Sequence, residues 1–380
     1  MRRSIKRKAT GAAILLVVGL CAVAGCAPQQ TTASVSEEEA PAVASEDGSS
    51  DWSTVYPLEY WSFANGGGDT EDLAVVGDRQ GFSHATMAKY MLEDVKASDG
   101  SYRGVCMACK SPKFNDLYEE YGDEVFSTEG STAFPEAIAA SDYWDCTACH
   151  SDMTNPAGSV GAQIQLFPRL GATLCDQLDP KTAACGQCHN NANRWMDEAD
   201  SYDPYRYGWD ADAMMRAQLE DQGEKAKKII DEESGVWVVN HGGHPDVEMF
   251  QGSVMQQAGL TCVDCHMPQD ESVDGTTYTS HNASQSPTSS AAALATCIEC
   301  HTNQGIETID EMKEYVRSAQ AEVAALDGQV VEELASLNDA IKAAKAAGAA
   351  DEALDAARES YAQAAFYRDY VLGNNGSSPV

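Results

Sequence analysis

From Ile309 onward apolar positions recur at threes and fours, through Met312, Val316, Ala319, Val323, Leu326, Val330, Leu334, Leu337 and Ile341. That spacing lays one continuous stripe along a long α-helix. Gly348 interrupts the stripe, and Asp351 opens a second helix through Leu354, Ala357, Tyr361, Ala364 and Val371, which Gly373 closes. Residues 307–373 therefore read as a C-terminal helical hairpin, with 374–380 as a tail. Upstream the pattern is shorter-ranged. Strand-like runs are few, and Gly235-Val236-Trp237-Val238-Val239 is the best of them. The segment Trp52 to Trp61 opens the globular part, and 52–306 reads as short helices joined by irregular loops. The expected fold class is mainly α.

The first residues follow a different pattern. Arg2, Arg3, Lys6, Arg7 and Lys8 precede an apolar run from Gly11 to Ala24, too short to span a bilayer comfortably and typical of an export signal. The run ends in Val23-Ala24-Gly25-Cys26, which resembles the lipobox of bacterial lipoproteins, so residues 1–25 are expected to be removed and Cys26 to carry lipid. From 26 to 51 the chain turns to Gln, Thr, Ser, Ala, Pro and Glu without an aromatic residue, the composition of a solvated linker. As a flexible coil it would reach about 25–30 Å. The mature chain is thus expected outside the cytoplasm, tethered to a membrane.

Charge excludes one class of partner. The chain has 25 Lys and Arg against 59 Asp and Glu, a formal charge of -34, and loss of the first 25 residues makes the balance 20 against 59, or -39. Such a surface repels phosphate backbones, so nucleic acid is not an expected partner. A hydrophobic content of 43% over 380 residues excludes wholesale disorder.

The 13 cysteines are too clustered, and too odd in number, for a plain disulfide framework. Ten of them form CxxC elements: Cys106/Cys109, Cys146/Cys149, Cys185/Cys188, Cys262/Cys265 and Cys297/Cys300. His150, His189, His266 and His301 directly follow the last four. CxxCH is the attachment signature of haem c, in which two thioethers hold the porphyrin and the histidine ligates iron. Zinc ribbons would need CxxC pairs about 15–20 residues apart, and they have no use for a histidine at that place four times. Thioether attachment also suits an exported chain. Lys110 replaces the histidine in the first element. Either that motif is degenerate or disulfide-bonded, or a neutral lysine amine ligates an unusual, candidate catalytic haem. Five covalent haem c groups would then supply much of the apolar core.

Eight histidines less the four in motifs leave His84, His241, His244 and His281 for the distal sides of five irons, so at least one iron is open or takes another ligand such as methionine. Cys175 stands between the second and third motifs without a visible partner, as a buried free thiol would.

One CxxCK followed by four CxxCH, with His244-Pro245 shortly before the fourth, resembles the pentahaem cytochrome c nitrite reductases, which reduce nitrite to ammonium. Cys109-Lys110-Ser111-Pro112, Cys185-Gly186-Gln187-Cys188-His189, His244-Pro245-Asp246-Val247-Glu248, Thr261 to Pro268 and Tyr278-Thr279-Ser280-His281 carry the likeness, which extends from about Gly81 to the C-terminus. The resemblance implies that Lys110 is the proximal ligand of the active-site haem and His244 the distal-pocket residue that hydrogen-bonds substrate. It implies further that His281 caps the second haem and His84 the third. Long C-terminal helices imply a homodimer, and a membrane-bound, quinol-oxidising multihaem protein is the implied electron donor.

The chain also departs from that family. Asn191 and Ala192 stand where the family has an acidic calcium ligand and an active-site tyrosine, and His241 and Gly243 replace its calcium-binding Lys and Gln. No calcium is therefore expected there. Tyr90 occupies the place of the active-site arginine, Arg103 being the nearest substitute, and Arg194, Tyr202, Tyr205, Arg206 and Tyr207 are candidates to re-enter the pocket. Met255 stands where a histidine would cap the fifth haem, which would raise that haem's potential. The fourth haem has no C-terminal histidine to cap it, so its iron is open or uses His241 or a methionine. Two further functions stay open beside nitrite reduction: an electron relay between a quinol oxidase and another reductase, and reduction of another small oxyanion or hydroxylamine.

Overall fold

The structure, a computed structural model, describes residues 52–66, 84–86, 109–122, 144–163, 178–191, 205–239 and 245–372. The leader, Cys26, the linker, Cys106, Cys175, His241, His244 and the C-terminal tail lie outside the described residues.

The described chain is mainly helical, as its pattern predicts. Two short helices, α1 (Trp52–Val55) and α2 (Pro57–Ala64), open it. They are stapled to later segments by Tyr56, whose hydroxyl donates to the Met153 carbonyl at 2.8 Å, and by Ser62, whose hydroxyl accepts from the His281 amide at 2.8 Å. Helix α3 (Phe114–Tyr121) follows the first motif and buries Phe114 and Leu117. Helix α4 (Pro180–Gly186) leads into the third motif. Its start is dictated locally: Asp179 accepts from the Lys181 amide, and Pro180 sits at the first helical position, where its missing N–H costs nothing.

Helix α5 (Ala211–Gln222) is capped by Asp210 and buries Met214 and Met215. It leads into an antiparallel hairpin of β1 (Lys227–Asp231) and β2 (Val236–Val239), paired Lys227 with Val239 and Ile229 with Trp237, with an irregularity before Asp231. The expected strand is thus present, with a partner strand that the pattern does not single out. Short helices α6 (Asp246–Phe250), α7 (Val254–Gln257) and α8 (Cys262–His266) follow, then the small hairpin of β3 (Gln269–Glu271) and β4 (Thr277–Thr279) and helix α9 (Ala291–His301).

The two helices of the C-terminal hairpin start at Ile309 and Asp351, where the stripe places them, and the expected stop at Gly373 lies outside the described residues. Helix α10 (Ile309–Ala346) starts at a capping box, in which Thr308 accepts from the Glu311 amide and Glu311 accepts from the Thr308 amide at 3.0 Å. Gly348, at φ +91°, ends it. Helix α11 (Asp351–Leu372) returns and packs on α10, β2 and α5. The junction is a hydrophobic cluster of Val236, Ile341 and Leu354, flanked by Leu337, Ala357 and Tyr361. Buried Arg358 locks it, donating from Nε to the Ser234 carbonyl at 2.9 Å and from its outer nitrogens to Asp351 and Asp355. Only the two ends of the α10 stripe are buried, at Met312 and Ile341, whereas Val323 and Leu326 stand 40% and 53% exposed. No described helix is long and apolar enough to cross a membrane.

Candidate functional site

Two histidine pairs dominate the described motif region. His150, in the second motif, faces His281 with ring centroids 6.3 Å apart, and His189, in the third, faces His84 at 6.4 Å. Imidazole nitrogens bond transition metals at about 2 Å, so two rings on opposite sides of one metal have centroids roughly 6 Å apart. The tautomers also fit. His150 Nδ1 lies 2.9 Å from the Pro156 carbonyl and His281 Nδ1 2.8 Å from the Thr279 carbonyl, and since a carbonyl can only accept, both Nδ1 atoms donate and leave Nε2 with its lone pair. His189 Nδ1 likewise donates to Asp246 Oδ2 at 3.1 Å. Desolvation alone would lower the His189 pKa, but the Asp246 bond and charge outweigh it and hold the pKa above the usual imidazole value. His84 goes the other way, pushed down to about 3 by desolvation and then by the positive charges of His189 and Lys110. It is the neutral, lone-pair form that a metal requires. The residues present thus fit a haem iron at both pairs.

The second motif begins with a tight turn, Cys146–Ala148, capped by Asp145, which accepts from the Thr147 amide at 2.7 Å. The third lies at the end of α4, with the His189 amide bonded to the Cys185 carbonyl at 2.9 Å. Gly186 lets α6 approach closely, since a Cβ there would come within 3.1 Å of Val247, and the Val247 amide bonds the His189 carbonyl at 3.1 Å. The fourth motif is helix α8 itself, started by Thr261, whose amide and hydroxyl both donate to Asp264 at 2.6 Å. Its His266 has a lowered pKa, chiefly from burial. The fifth closes α9, where His301 packs against Tyr315 at 5.0 Å and its buried Nδ1 has no hydrogen-bond partner. Neither His266 nor His301 faces a second imidazole among the described residues, and Met255 is a 47% exposed residue of α7.

Of the first motif, Cys109 and Lys110 are described and Cys106 is not, nor is the expected distal residue His244. The charge of Lys110 acts on His84, His189 and Cys188, which places the first motif beside the third. The cysteines lie in a sequence of neighbours. Cys188 lies beside Cys109, and Cys185 beside Cys262, each close enough to push the Cys188 and Cys185 thiols up. Cys149 lies close enough to both Cys185 and Cys188 for its charge to act on them, and Cys297 acts on Cys265 in the same way. Motifs one, three, four and five therefore follow one another in space, and motif two joins at the third. Burial pushes the Cys149 thiol up to about 12 and the Cys146 and Cys265 thiols to about 11, environments suited to neutral sulfur. Gln187, within the third motif, ties this junction together. Its buried Nε2 donates to the Ala148 carbonyl at 2.7 Å and its Oε1 accepts from the Gln163 amide at 2.9 Å.

Of the replacement candidates for the pocket, Tyr205, Arg206 and Tyr207 are described, and each is bonded to an acidic side chain. Arg206 is bonded to Asp221, Glu220 and the Ala217 carbonyl, and Tyr207 to Glu220, so both face α5. The Tyr205 hydroxyl donates to Glu248 Oε1 at 2.6 Å. Glu248, four residues beyond His244, is buried, and desolvation pushes its pKa up to about 8. It also accepts from the Asn191 amide at 2.8 Å, while its Oε2 and the Asn191 side-chain amide are buried without a partner. Arg103, Ala192, Arg194 and Tyr202 lie outside the described residues. Local pattern gave no signal for Trp144 as part of the site, and for Gln187 and Glu248 the only signal was their place in the strings around the third motif and after His244. For Asp246 the only signal was its place in the His244 to Glu248 string.

Comparison with known proteins locates this arrangement. A model of the family "Cytochrome c552" matches residues 82–378. A cytochrome c-552 of Haemophilus influenzae is 26% identical over 303 residues, 74% of this chain and 54% of that protein. A cytochrome c nitrite reductase subunit NrfA of Nitratidesulfovibrio vulgaris is 27% identical over 306 residues, 73% and 56% of the respective chains. The chain spans about half the length of the curated relatives it matches. Among solved structures, the catalytic subunit of a cytochrome c nitrite reductase from Desulfovibrio desulfuricans, described with two calcium sites, superposes with a TM-score of 0.65 at 21% identity, covering 86% of this chain and 79% of that one. That likeness is one of fold.

Proposed function

Since the chain belongs to the cytochrome c552 family, we propose that it is a multihaem reductase of the cell envelope, carrying five haem c groups and reducing nitrite to ammonium at the haem attached through Cys106 and Cys109. The observation that carries this reading is the pair of facing imidazoles on the second and third motifs, 6.3 and 6.4 Å apart, with Lys110 beside the second pair. Bound haem c would supply one-electron transfer and, at the lysine-ligated iron, a site for the substrate nitrogen.

The chain's own residues have distinct tasks. Cys146, Cys149, Cys185, Cys188, Cys262, Cys265, Cys297 and Cys300, with Cys106 and Cys109, form the thioethers. His150 with His281 and His189 with His84 would each hold one haem iron, His266 and His301 would be ligands of the last two, and Met255 would be a further ligand of the fifth. Lys110 ligates through its neutral amine, and His244 hydrogen-bonds the substrate oxygens and passes protons to them. Calcium is not part of this proposal, because Asn191 replaces the acidic ligand that the resemblance calls for and His241 and Gly243 replace its Lys and Gln.

The same reading makes the chain a lipoprotein anchored through Cys26 outside the cytoplasm, fed by a membrane-bound quinol-oxidising multihaem protein. It also pairs the chain with a second copy through the uncovered stripe of α10. In the decisive experiment the purified holoprotein is reduced chemically and given nitrite, and ammonium is measured. Lys110→His is expected to lower turnover at least tenfold with all five haems retained. Wild-type turnover no higher than that of free haem would leave the electron-relay reading in place of this one.

A further inference from the structure

The four histidines of the two facing pairs are not held alike. His150, His189 and His281 each donate Nδ1–H to an oxygen, whereas the His84 ring makes no hydrogen bond among the described residues. What lies against it is Trp144, with ring centroids 3.8 Å apart and planes inclined by only 12°. We infer that Trp144 is a positioning residue shared by two haem sites: its indole face sets the plane of the His84 ring, and its two N–H groups hold the carbonyls of Cys109 and Lys110. The inference rests on the reading that His84 and His189 take the same iron.

Three observations converge on it. The Trp144 indole Nε1 donates to the Cys109 carbonyl at 2.9 Å, and its backbone amide donates to the Lys110 carbonyl at 3.2 Å. Both acceptors belong to the first motif, while Trp144 itself lies two residues before Cys146 of the second. The backbone at Trp144 has φ +38°, in a region that a bulky residue rarely adopts. An aromatic residue that merely filled space could do so from an ordinary conformation. Here the unusual one turns the amide and the indole N–H towards successive carbonyls while keeping the indole face parallel to His84. A ring stacked in this way cannot rotate about its bond to a metal without losing contact, so Trp144 does for His84 what a hydrogen bond does for the other three histidines. It also links the ligand of one haem to the backbone that carries Lys110.

The two functions of the indole are separable. In holoprotein with a full haem count by mass, Trp144→Ala removes the stacked face and the indole N–H, and Trp144→Phe keeps a face and removes only the indole N–H. Low-temperature electron paramagnetic resonance of the oxidised protein and a spectroelectrochemical titration read both sites. Trp144→Ala is expected to shift the g values and potential of the His84/His189 haem. Trp144→Phe is expected to leave that signal near wild type and to shift only the Lys110 haem. Wild-type signals at both haems in both variants would overturn the proposal. So would loss of haem from Trp144→Phe, which would make Trp144 a residue needed for maturation and nothing more. If Trp144→Ala alone fails to mature, Trp144→Phe decides by the same criteria. His84→Ala in the otherwise unchanged chain separates the two levels of the argument: it must convert one low-spin haem to high spin, and if it does not, the pairing of His84 with His189 fails whatever Trp144 does.

Discussion

The His189 ring is held by a carboxylate and the His150 and His281 rings by carbonyls, and that single difference has a measurable consequence. An anionic acceptor on Nδ1 raises the basicity of Nε2 and so favours the oxidised iron. Asp246→Asn is therefore expected to raise the reduction potential of the haem proposed between His84 and His189 while leaving the remaining potentials and the haem content unchanged, as a spectroelectrochemical titration would show. Two residues further on, Glu248 supplies a pH effect. Its folded pKa, about 8, lies above the 4.5 of an ordinary glutamate, so between those values the folded state keeps a proton that the unfolded state has lost. Stability from this group is complete below about pH 4.5 and declines as pH rises towards 8, by about 1.4 kcal/mol per unit at most. Glu248→Gln is expected to flatten the fall in thermal midpoint between pH 6 and pH 8.5. An equally steep fall in the variant would show that Glu248 ionises elsewhere in the range. Residues of this kind were only partly legible in the sequence. The CxxC elements and the histidines that follow them stand out in the sequence because haem attachment needs a fixed local spacing. Trp144 did not stand out, because its place depends on a positive φ, and Glu248 stood out only as part of a matching string, since its raised pKa depends on burial against Tyr205 and Asn191.

Elements differed in the same way. The hairpin of α10 and α11 was readable because a stripe at threes and fours, a Thr308/Glu311 capping box and Gly348 all lie within the segment they define. Strands β1, β3 and β4 are three to five residues long and owe their existence to pairing with β2 or with each other, which local propensity does not report. What holds the hairpin to the rest of the chain is the buried side of α11: Phe366 is 1% exposed, and Leu354, Ala362, Ala365 and Tyr370 are also buried. Emptying the Phe366 site should cost about 3–5 kcal/mol. Phe366→Ala is expected to lower the thermal midpoint and to speed amide exchange in α11, with haem attachment intact. Unchanged exchange in α11 would show that Arg358 and its bonds to Ser234, Asp351 and Asp355 suffice to hold it.

For the molecule as a whole, the exposed stripe and the charge pull in opposite directions. Val323 and Leu326 are 40% and 53% exposed on a helix that is otherwise well specified, so an association through α10 would remove that apolar surface from water. Against this, each chain brings a formal charge of -34, and two such chains repel one another over a Debye length of about 30 Å at 0.01 M salt and about 8 Å at 0.15 M. If α10 carries the dimer, the dimer should strengthen as salt rises, the reverse of what an interface built on ion pairs would do. Leu326→Glu puts a like charge on each side of the seam and buries it unpaired, so it is expected to give monomers at every salt concentration in light scattering. Because Leu326 is an exposed residue of α10 outside the motifs, the variant should keep the haem content and the proposed ammonium production per haem of the unaltered chain. A variant that stays dimeric would move the interface off this stripe, and one that loses activity with its dimer would show that the second copy contributes to the site.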